Sequence, residues 1–113
     1  MSRSQRDKGK RVEREAADLL RPLYPSVRRS ANQAGGALQP DLEDTPWWVE
    51  VSGGAHPSPH GKMVQALRDR GQAQDPRLPL VLTHRDRGDW LASLLLADWL
   101  RLMEELEGYR RHG

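Results

Sequence analysis

The sequence predicts an α/β domain in which a mixed sheet is flanked by helices, and three observations lead to this fold class. Apolar residues recur at three- and four-residue steps over 9–21, 62–72 and 98–108, as in amphipathic helices. Two short apolar runs, at 47–51 and 80–83, are typical of strands. The chain has 113 residues, 36% of them hydrophobic and 30% charged, which suffices for one modest core but not for two.

The first half of the chain gives the elements in order. We expect a flexible basic arm at residues 1–8, a helix at 9–21 that Pro22 ends, and an extended segment at 26–31. A loop rich in Gly and Pro is expected at 32–40. Asp41 then begins a strand that pairs with the strand at 47–51 as a hairpin, because Asp44-Thr45-Pro46 between them is a turn signal.

The second half completes the order α-β-β-β-α-β-β-α. Residues 53–61, which include Pro57 and Pro59, are expected to be a loop before the helix at 62–72. A buried strand at 80–83, a turn at 86–89 and a strand at 90–95 follow. In the last helix Trp99, Leu102, Met103 and Leu106 lie on one stripe, and Asp98 is the expected N-cap. The compact domain therefore spans residues 9–108.

Composition narrows the function classes. The chain has no Cys, which excludes disulfides, a thiolate nucleophile and Cys-based zinc or iron–sulfur sites. No apolar run approaches the roughly 20 residues that span a bilayer, and residues 1–10 are polar and lack the apolar segment of a signal peptide. These features predict a cytoplasmic protein with no membrane partner.

The charge of the chain is unevenly distributed. The net charge is only +2, but residues 1–29 carry nine Lys and Arg against four Asp and Glu. Such a basic segment fits a polyanion such as nucleic acid, or else it is a solvated face with a disordered tail. Of the 18 cations 15 are Arg, and Lys62 is the one Lys beyond the first ten residues.

Three carboxylates are candidates for chemistry. Across the expected hairpin Asp41 and Glu50 can come within metal-bridging distance, and oxygen ligands of this kind suit Mg²⁺. Alternatively, both are solvated residues on an open sheet face. Glu13 lies beside the buried stripe of the first helix, where it either reaches the mouth of the sheet or pairs with a neighbouring Arg.

These residues stand in strings that, taken in order, resemble the PD-(D/E)XK nuclease superfamily. The strings are GKRVERE at 9–15, PD at 40–41 and VEVS at 49–52. Within that superfamily the chain is most similar to small phage and archaeal endonucleases of the Holliday-junction-resolvase type, over roughly residues 9–103. The resemblance implies a restriction-endonuclease-like αβββαβ core, a prokaryotic or phage origin and hydrolysis of branched or double-stranded DNA.

The resemblance also assigns roles to residues. It implies that Glu13, Asp41, Glu50 and the backbone carbonyl of Val51 hold Mg²⁺ or Mn²⁺. The family has a Lys two residues after the second carboxylate, which assists the attacking water, and here that position is Ser52. A hydroxyl carries no charge to replace an ammonium. Three interpretations stay open: Lys62 has taken over, Ser52 or a neighbour suffices beside the metal, or the domain binds DNA without cleaving it.

The resemblance also predicts partners. Arg28 and Arg29 lie in a region that contacts DNA in resolvase-type relatives, and Lys8, Lys10 and Arg11 are further expected phosphate contacts. A homodimer is implied because a four-way junction presents two symmetric cleavage points, with Trp48 or the last helix as its interface. The alternatives to an endonuclease are a catalytically impaired DNA-binding module and a small protein that binds another partner.

Overall fold

The computed structural model describes residues 3–31 and 38–112, with side chains from Asp7 onward. In chain order, the elements within these residues are α1 (Arg3–Leu20), β1 (Arg28–Arg29), β2 (Leu42–Glu43), β3 (Trp47–Gly54), α2 (Pro59–Gln72), β4 (Leu78–Arg85), β5 (Trp90–Ser93) and α3 (Leu96–His112). The mixed α/β fold class and the order of elements are confirmed. Most of the predicted loop at 32–40, residues 32–37, lies outside the described residues.

The five strands form one mixed sheet in the order β1-β2-β3-β4-β5. The central pair, β3 and β4, is parallel, with Trp47 beside Leu78 and Gly54 beside Arg85, and the other neighbours are antiparallel. A parallel pair needs a crossover connection, which α2 supplies. Asp41 precedes β2, and Leu42 pairs with Val49, so the predicted hairpin is present.

The two faces of the sheet are covered by different helices, because successive strand residues point to opposite sides. On one face Val49 and Val51 of β3 and the corresponding residues of β4 pack against Val12 and Ala16 of α1. On the other face lie Trp48, Glu50 and Ser52, which is the side that α2 covers. Because side chains alternate along β3, Glu50 points to the same face as Trp48 and lies in the interior.

Two helices begin earlier than predicted. Residues 3–8 of the predicted arm belong to α1, since no proline or β-branched residue interrupts them and a helix tolerates Gly9 at modest cost. The predicted loop at 53–61 ends at Ser58, which caps α2: its Oγ accepts a hydrogen bond from the Gly61 backbone N–H at 3.0 Å. Pro59 then occupies the first turn, where its missing N–H costs nothing.

The last helix differs from the prediction in its start and its packing. It begins at Leu96, so Asp98 is not the N-cap but a buried residue of the first turn. Of the predicted apolar stripe, Trp99 is 44% exposed and Leu106 39%, whereas Leu102 and Met103 are partly buried. Leu96 and Leu100, which the predicted stripe did not include, are 69% and 48% exposed. In the described part of the chain no helix is long and apolar enough to cross a membrane.

Candidate functional site

The β2–β3 hairpin brings Asp41 next to Glu50. The Asp41 backbone N–H donates to the Val49 carbonyl at 2.8 Å, and Asp41 Oδ2 accepts from the Val51 backbone N–H at 2.8 Å. The turn that closes the hairpin depends on Asp44, whose φ is +64°, and on Thr45 Oγ1, which bonds to the backbone of Trp47. A local turn signal thus fixes the register that aligns the two acidic residues.

Glu50 is an almost fully buried carboxyl group, 2% exposed. Its Oε1 accepts a hydrogen bond from Trp48 Nε1 at 2.9 Å, and its carboxyl group also hydrogen-bonds to Asp41. Burial, followed by the negative charge of Asp41 and the hydrogen bond to it, raises the pKa of Glu50 to about 8. At neutral pH the Glu50 carboxyl group is therefore protonated, while it stays hydrogen-bonded to Asp41.

Glu13 reaches the same site from α1, as its position beside the buried stripe predicted. Its Oε1 accepts from Arg29 Nε at 2.9 Å, and both side chains are partly buried. Burial and the nearby charge of Asp41 raise the pKa of Glu13, while Arg29 and Lys62 oppose the rise. Glu13 therefore pairs with an Arg, but with one from β1, 16 residues away, and not with a neighbouring Arg of the helix.

Lys62 is the cation that α2 contributes. It lies in the first turn of the helix, where its backbone N–H donates to the Ser58 carbonyl at 3.0 Å. The ammonium of Lys62 is close enough to lower the pKa of both Glu13 and Glu50. The helix start at Pro59, which sequence reasoning placed later, is what brings Lys62 toward the carboxylates.

Ser52 and Val51 follow Glu50 along β3. Ser52 lies on the same sheet face as Glu50, beside Thr83 of β4, and is partly buried. The Val51 N–H is directed at Asp41, and the N–H and C=O of one strand residue point to the same side. The Val51 carbonyl therefore faces the Asp41 side of β3.

The three carboxylates do not form a ready-made metal cage. Within residues 7–31 and 38–112 no three His, Asp or Glu side chains are arranged to hold an ion. Asp41 is the central member, since its charge acts on both Glu13 and Glu50. Carboxylate oxygens such as those of Asp41 and Glu50 are of the type that Mg²⁺ takes in proteins.

Arg77 is a part of the site that sequence reasoning missed. Its guanidinium lies 5.6 Å from the centre of the Trp48 ring and bonds to Glu43 Oε1 at 2.9 Å and Asp75 Oδ2 at 2.8 Å. These partners raise the pKa of Arg77, and Arg77 lowers the pKa of Asp75. The cluster holds the Trp48 ring, and hence the donor to Glu50, in place. The one sequence signal for this cluster is Asp75-Pro76-Arg77, which is typical of a turn before a strand.

The expected phosphate contacts fall into two groups. Arg28, Arg29 and Lys8 each pair with a carboxylate, respectively Asp44 at 2.9 Å, Glu13 at 2.9 Å and Asp86 at 3.5 Å. Lys10 and Arg11 lie exposed on α1. The structure thus places Arg29 inside the carboxylate site rather than on an open surface.

Comparisons with known proteins yield no match to a family model, to a curated protein or to a solved structure.

Proposed function

We propose that this chain is a metal-dependent endonuclease of the PD-(D/E)XK type that hydrolyses phosphodiesters in branched or double-stranded DNA. The observation that carries the proposal is that Asp41 lies beside the buried Glu50 across the β2–β3 hairpin and that its charge also acts on Glu13 of α1. Burying carboxyl groups side by side is costly for a folded protein. A strongly raised pKa beside an opposite charge is typical of functional sites.

The donor set fits a divalent cation. Asp41, Glu50 and the Val51 carbonyl would hold Mg²⁺ or Mn²⁺, with Glu13 as the further carboxylate. The ion, when bound, supplies positive charge that polarises a phosphate and lowers the pKa of water. The proton on Glu50 must leave before Glu50 can act as an anionic ligand, so binding of the cation should release a proton.

Lys62 takes the role of the missing motif lysine in this proposal. Its charge already acts on Glu13 and Glu50, whereas Ser52 offers only a hydroxyl. An ammonium near the carboxylates can hold a water molecule and stabilise the negative charge that builds up on a phosphate. The restriction-endonuclease-like topology belongs to the same proposal, since the order α1-β1-β2-β3-α2-β4 is that of the αβββαβ core.

A homodimer through α3 completes the proposal. Of the two candidate interfaces, Trp48 is only 1% exposed and cannot contact another chain. The apolar side chains of α3 are available instead, and a second copy would bury Leu96, Trp99 and Leu100 against their own equivalents. Such a two-fold pair suits a DNA junction with two equivalent strands.

A catalytically impaired DNA-binding module is the second candidate function. Two observations favour it: Ser52 stands at the lysine position, and Arg29 already neutralises Glu13. While it is paired with Arg29, Glu13 would stabilise the fold through this ion pair and would not act as a metal ligand.

Two measurements test the enzyme against the module. The first is nicking of four-way-junction and linear DNA at enzyme excess with Mg²⁺, with Mn²⁺ and with EDTA. The second is thermal stability, because a ligand that binds only the folded state raises the Tm. For the enzyme we expect metal-dependent nicking, together with a metal-dependent rise in Tm that is lost in Glu50→Gln and kept in Glu105→Gln.

If the protein binds DNA but does not nick it under any of these conditions, the DNA-binding module is the supported function. A Tm rise that persists in Glu50→Gln would place the cation elsewhere.

A further inference from the structure

A cavity lies at the carboxyl ends of the parallel strands β3 and β4. Its volume is about 320 Å³, and Gly54, His84 and Asp86 from the strand ends form its floor. Lys8, Arg11 and Glu15 of α1 line one wall, and Arg87 of the β4–β5 turn lines another. The carboxyl ends of parallel strands are where α/β sheets bind ligands.

The cavity is separate from the carboxylate site, although both involve α1. Glu13 faces Arg29, which lies in β1 at the opposite edge of the sheet from β5. Lys8 instead reaches the other side, where it pairs with Asp86 after β4. One helix therefore presents a carboxylate toward the acidic cluster and cations toward the cavity.

The charge of the cavity favours an anion. Lys8, Arg11 and Arg87 outnumber the carboxylates of Glu15 and Asp86. The ion pair of Lys8 with Asp86 is 3.5 Å long and about half exposed, so it is weak and easily exchanged for a stronger partner. Arginine side chains are suited to phosphate because their planar forks bond to two oxygens at once.

The backbone around the cavity is fixed in shape. Gly53 packs so closely under α1 that an added Cβ would lie 2.9 Å from a methyl group of Val12, which holds α1 against the strand ends. Gly54 has φ +125° and open space on its Cβ side, and its carbonyl accepts from the Asp86 N–H at 2.9 Å. Arg87 has φ +63°, an uncommon conformation for a non-glycine residue that is often found at functional sites.

His84 adds a polar group with a defined orientation. Its ring is stacked on that of Trp90, with centroids 4.8 Å apart and planes 17° from parallel. Stacking fixes the imidazole at the end of β4, where a ring N–H can donate to an oxygen.

We infer that this cavity is a phosphate-binding subsite, in which Arg11 and Arg87 hold a phosphate group and Lys8 exchanges Asp86 for it. The phosphate comes from the backbone of a nucleic acid, and this identity rests on the proposed function. The subsite would hold the nucleic acid at a second point, away from the carboxylate site, and so help to fix the orientation of the bound strand.

A first experiment uses inorganic phosphate as the probe. We would titrate the ¹⁵N-labelled full chain without divalent metal and follow its amide resonances. Saturating shifts confined to Gly54 and residues 84–88, lost in Arg87→Ala and retained in Arg101→Ala, support the subsite. Arg101 is the matched control because it is an exposed Arg on α3. Shifts that are absent, scattered or unchanged in Arg87→Ala overturn it.

A second experiment uses a short DNA duplex in EDTA and measures fluorescence anisotropy at several salt concentrations. We expect Arg11→Ala and Arg87→Ala each to weaken binding about fivefold and to lower the salt slope by about one. An equal loss in Arg101→Ala means diffuse attraction and contradicts the inference. Phosphate binding in the cavity without any DNA binding would support the subsite while refuting the proposed function, so the two failures are distinguishable.

Discussion

The carboxylate site and α3 differ from ordinary protein structure in opposite ways. At the site, acidic side chains lie inside the fold, where burial raises the pKa of Glu50 to about 8. On α3, Leu96, Trp99 and Leu100 lie outside it. Stability alone favours neither arrangement. Under the proposed function a partner completes each region: a cation and a phosphate at the site, and the apolar face of a second copy on α3.

The largest expected effect is on the rate of nicking, which a substitution in the carboxylate site should reduce and a substitution on α3 should not. Glu50→Gln removes the charge that would hold the metal while keeping the shape of the side chain. We expect about a thousandfold slower nicking, comparable to the loss of a major electrostatic group. The measurement is single-turnover cleavage of a labelled four-way junction with Mg²⁺. Leu100→Ala on α3, assayed at enzyme excess, should keep the wild-type nicking rate per dimer. If Leu100→Ala slowed nicking as much as Glu50→Gln, the two regions could not be assigned different roles.

The second prediction concerns the pH dependence of stability. The pKa of Glu50 is about 8 in the folded state against an ordinary value of 4.5, so between these values the folded state binds the extra proton. The contribution of this proton to the free energy of unfolding is therefore fully present below pH 4.5 and is lost as the pH rises through 8. The slope is at most about 1.4 kcal/mol per pH unit.

Urea unfolding at pH 5, 6, 7 and 8 measures this slope. The slope should be much flatter in Glu50→Gln, whereas Glu105→Gln on the exposed α3 should behave as wild type. A wild-type stability that rises from pH 5 to 8 would contradict the assigned protonation of Glu50.

The third prediction sharpens the chemistry within the site. Lys62→Ala removes the ammonium that acts on Glu13 and Glu50, and we expect cleavage to slow about tenfold, within the usual range for one positioned group, with DNA affinity nearly unchanged. Lys10→Ala, an exposed cation of α1, should do the reverse and weaken DNA binding without slowing the bound complex. An unchanged cleavage rate in Lys62→Ala would refute the proposal that Lys62 replaces the motif lysine.

The smallest expected effect on stability is on α3. Leu100→Glu places a charge on the exposed apolar face, and in the isolated monomer we expect a change in the free energy of unfolding below about 0.5 kcal/mol. Sedimentation velocity should nevertheless show dimers of the wild type and monomers of the variant. Arg101→Ala is the neighbouring control and should remain dimeric. A wild type that is monomeric at every concentration would refute the homodimer.

The parts of the site that follow from short-range rules were predictable. The turn Asp44-Thr45-Pro46 set the hairpin, and with it the meeting of Asp41 and Glu50, because strand register depends on the turn. Helical periodicity placed Glu13 beside the buried stripe. The alternation of β3 sent Glu50 inward, since Trp48 and Glu50 are two residues apart.

The remaining features depend on contacts between distant residues. Arg77 approaches Glu43 and Trp48 only because β4 lies beside β3, and no local pattern specifies that pairing. The pair of Arg29 with Glu13 likewise needs β1 to lie near α1. The error at α2 was different: Pro57 and Pro59 suggested a loop, although Pro is favoured in the first turn of a helix when a Ser precedes it.

The hydrogen bond from Trp48 to Glu50 gives the carboxylate site a built-in spectroscopic reporter. The indole N–H donates to the same carboxyl group whose proton a cation would displace under the proposed function. The indole ¹⁵N–¹H resonance of Trp48 is therefore sensitive to the charge on Glu50. Titrating that one signal across pH 8, and then against Mg²⁺, tests proton loss and metal binding at the same carboxyl group without any DNA present.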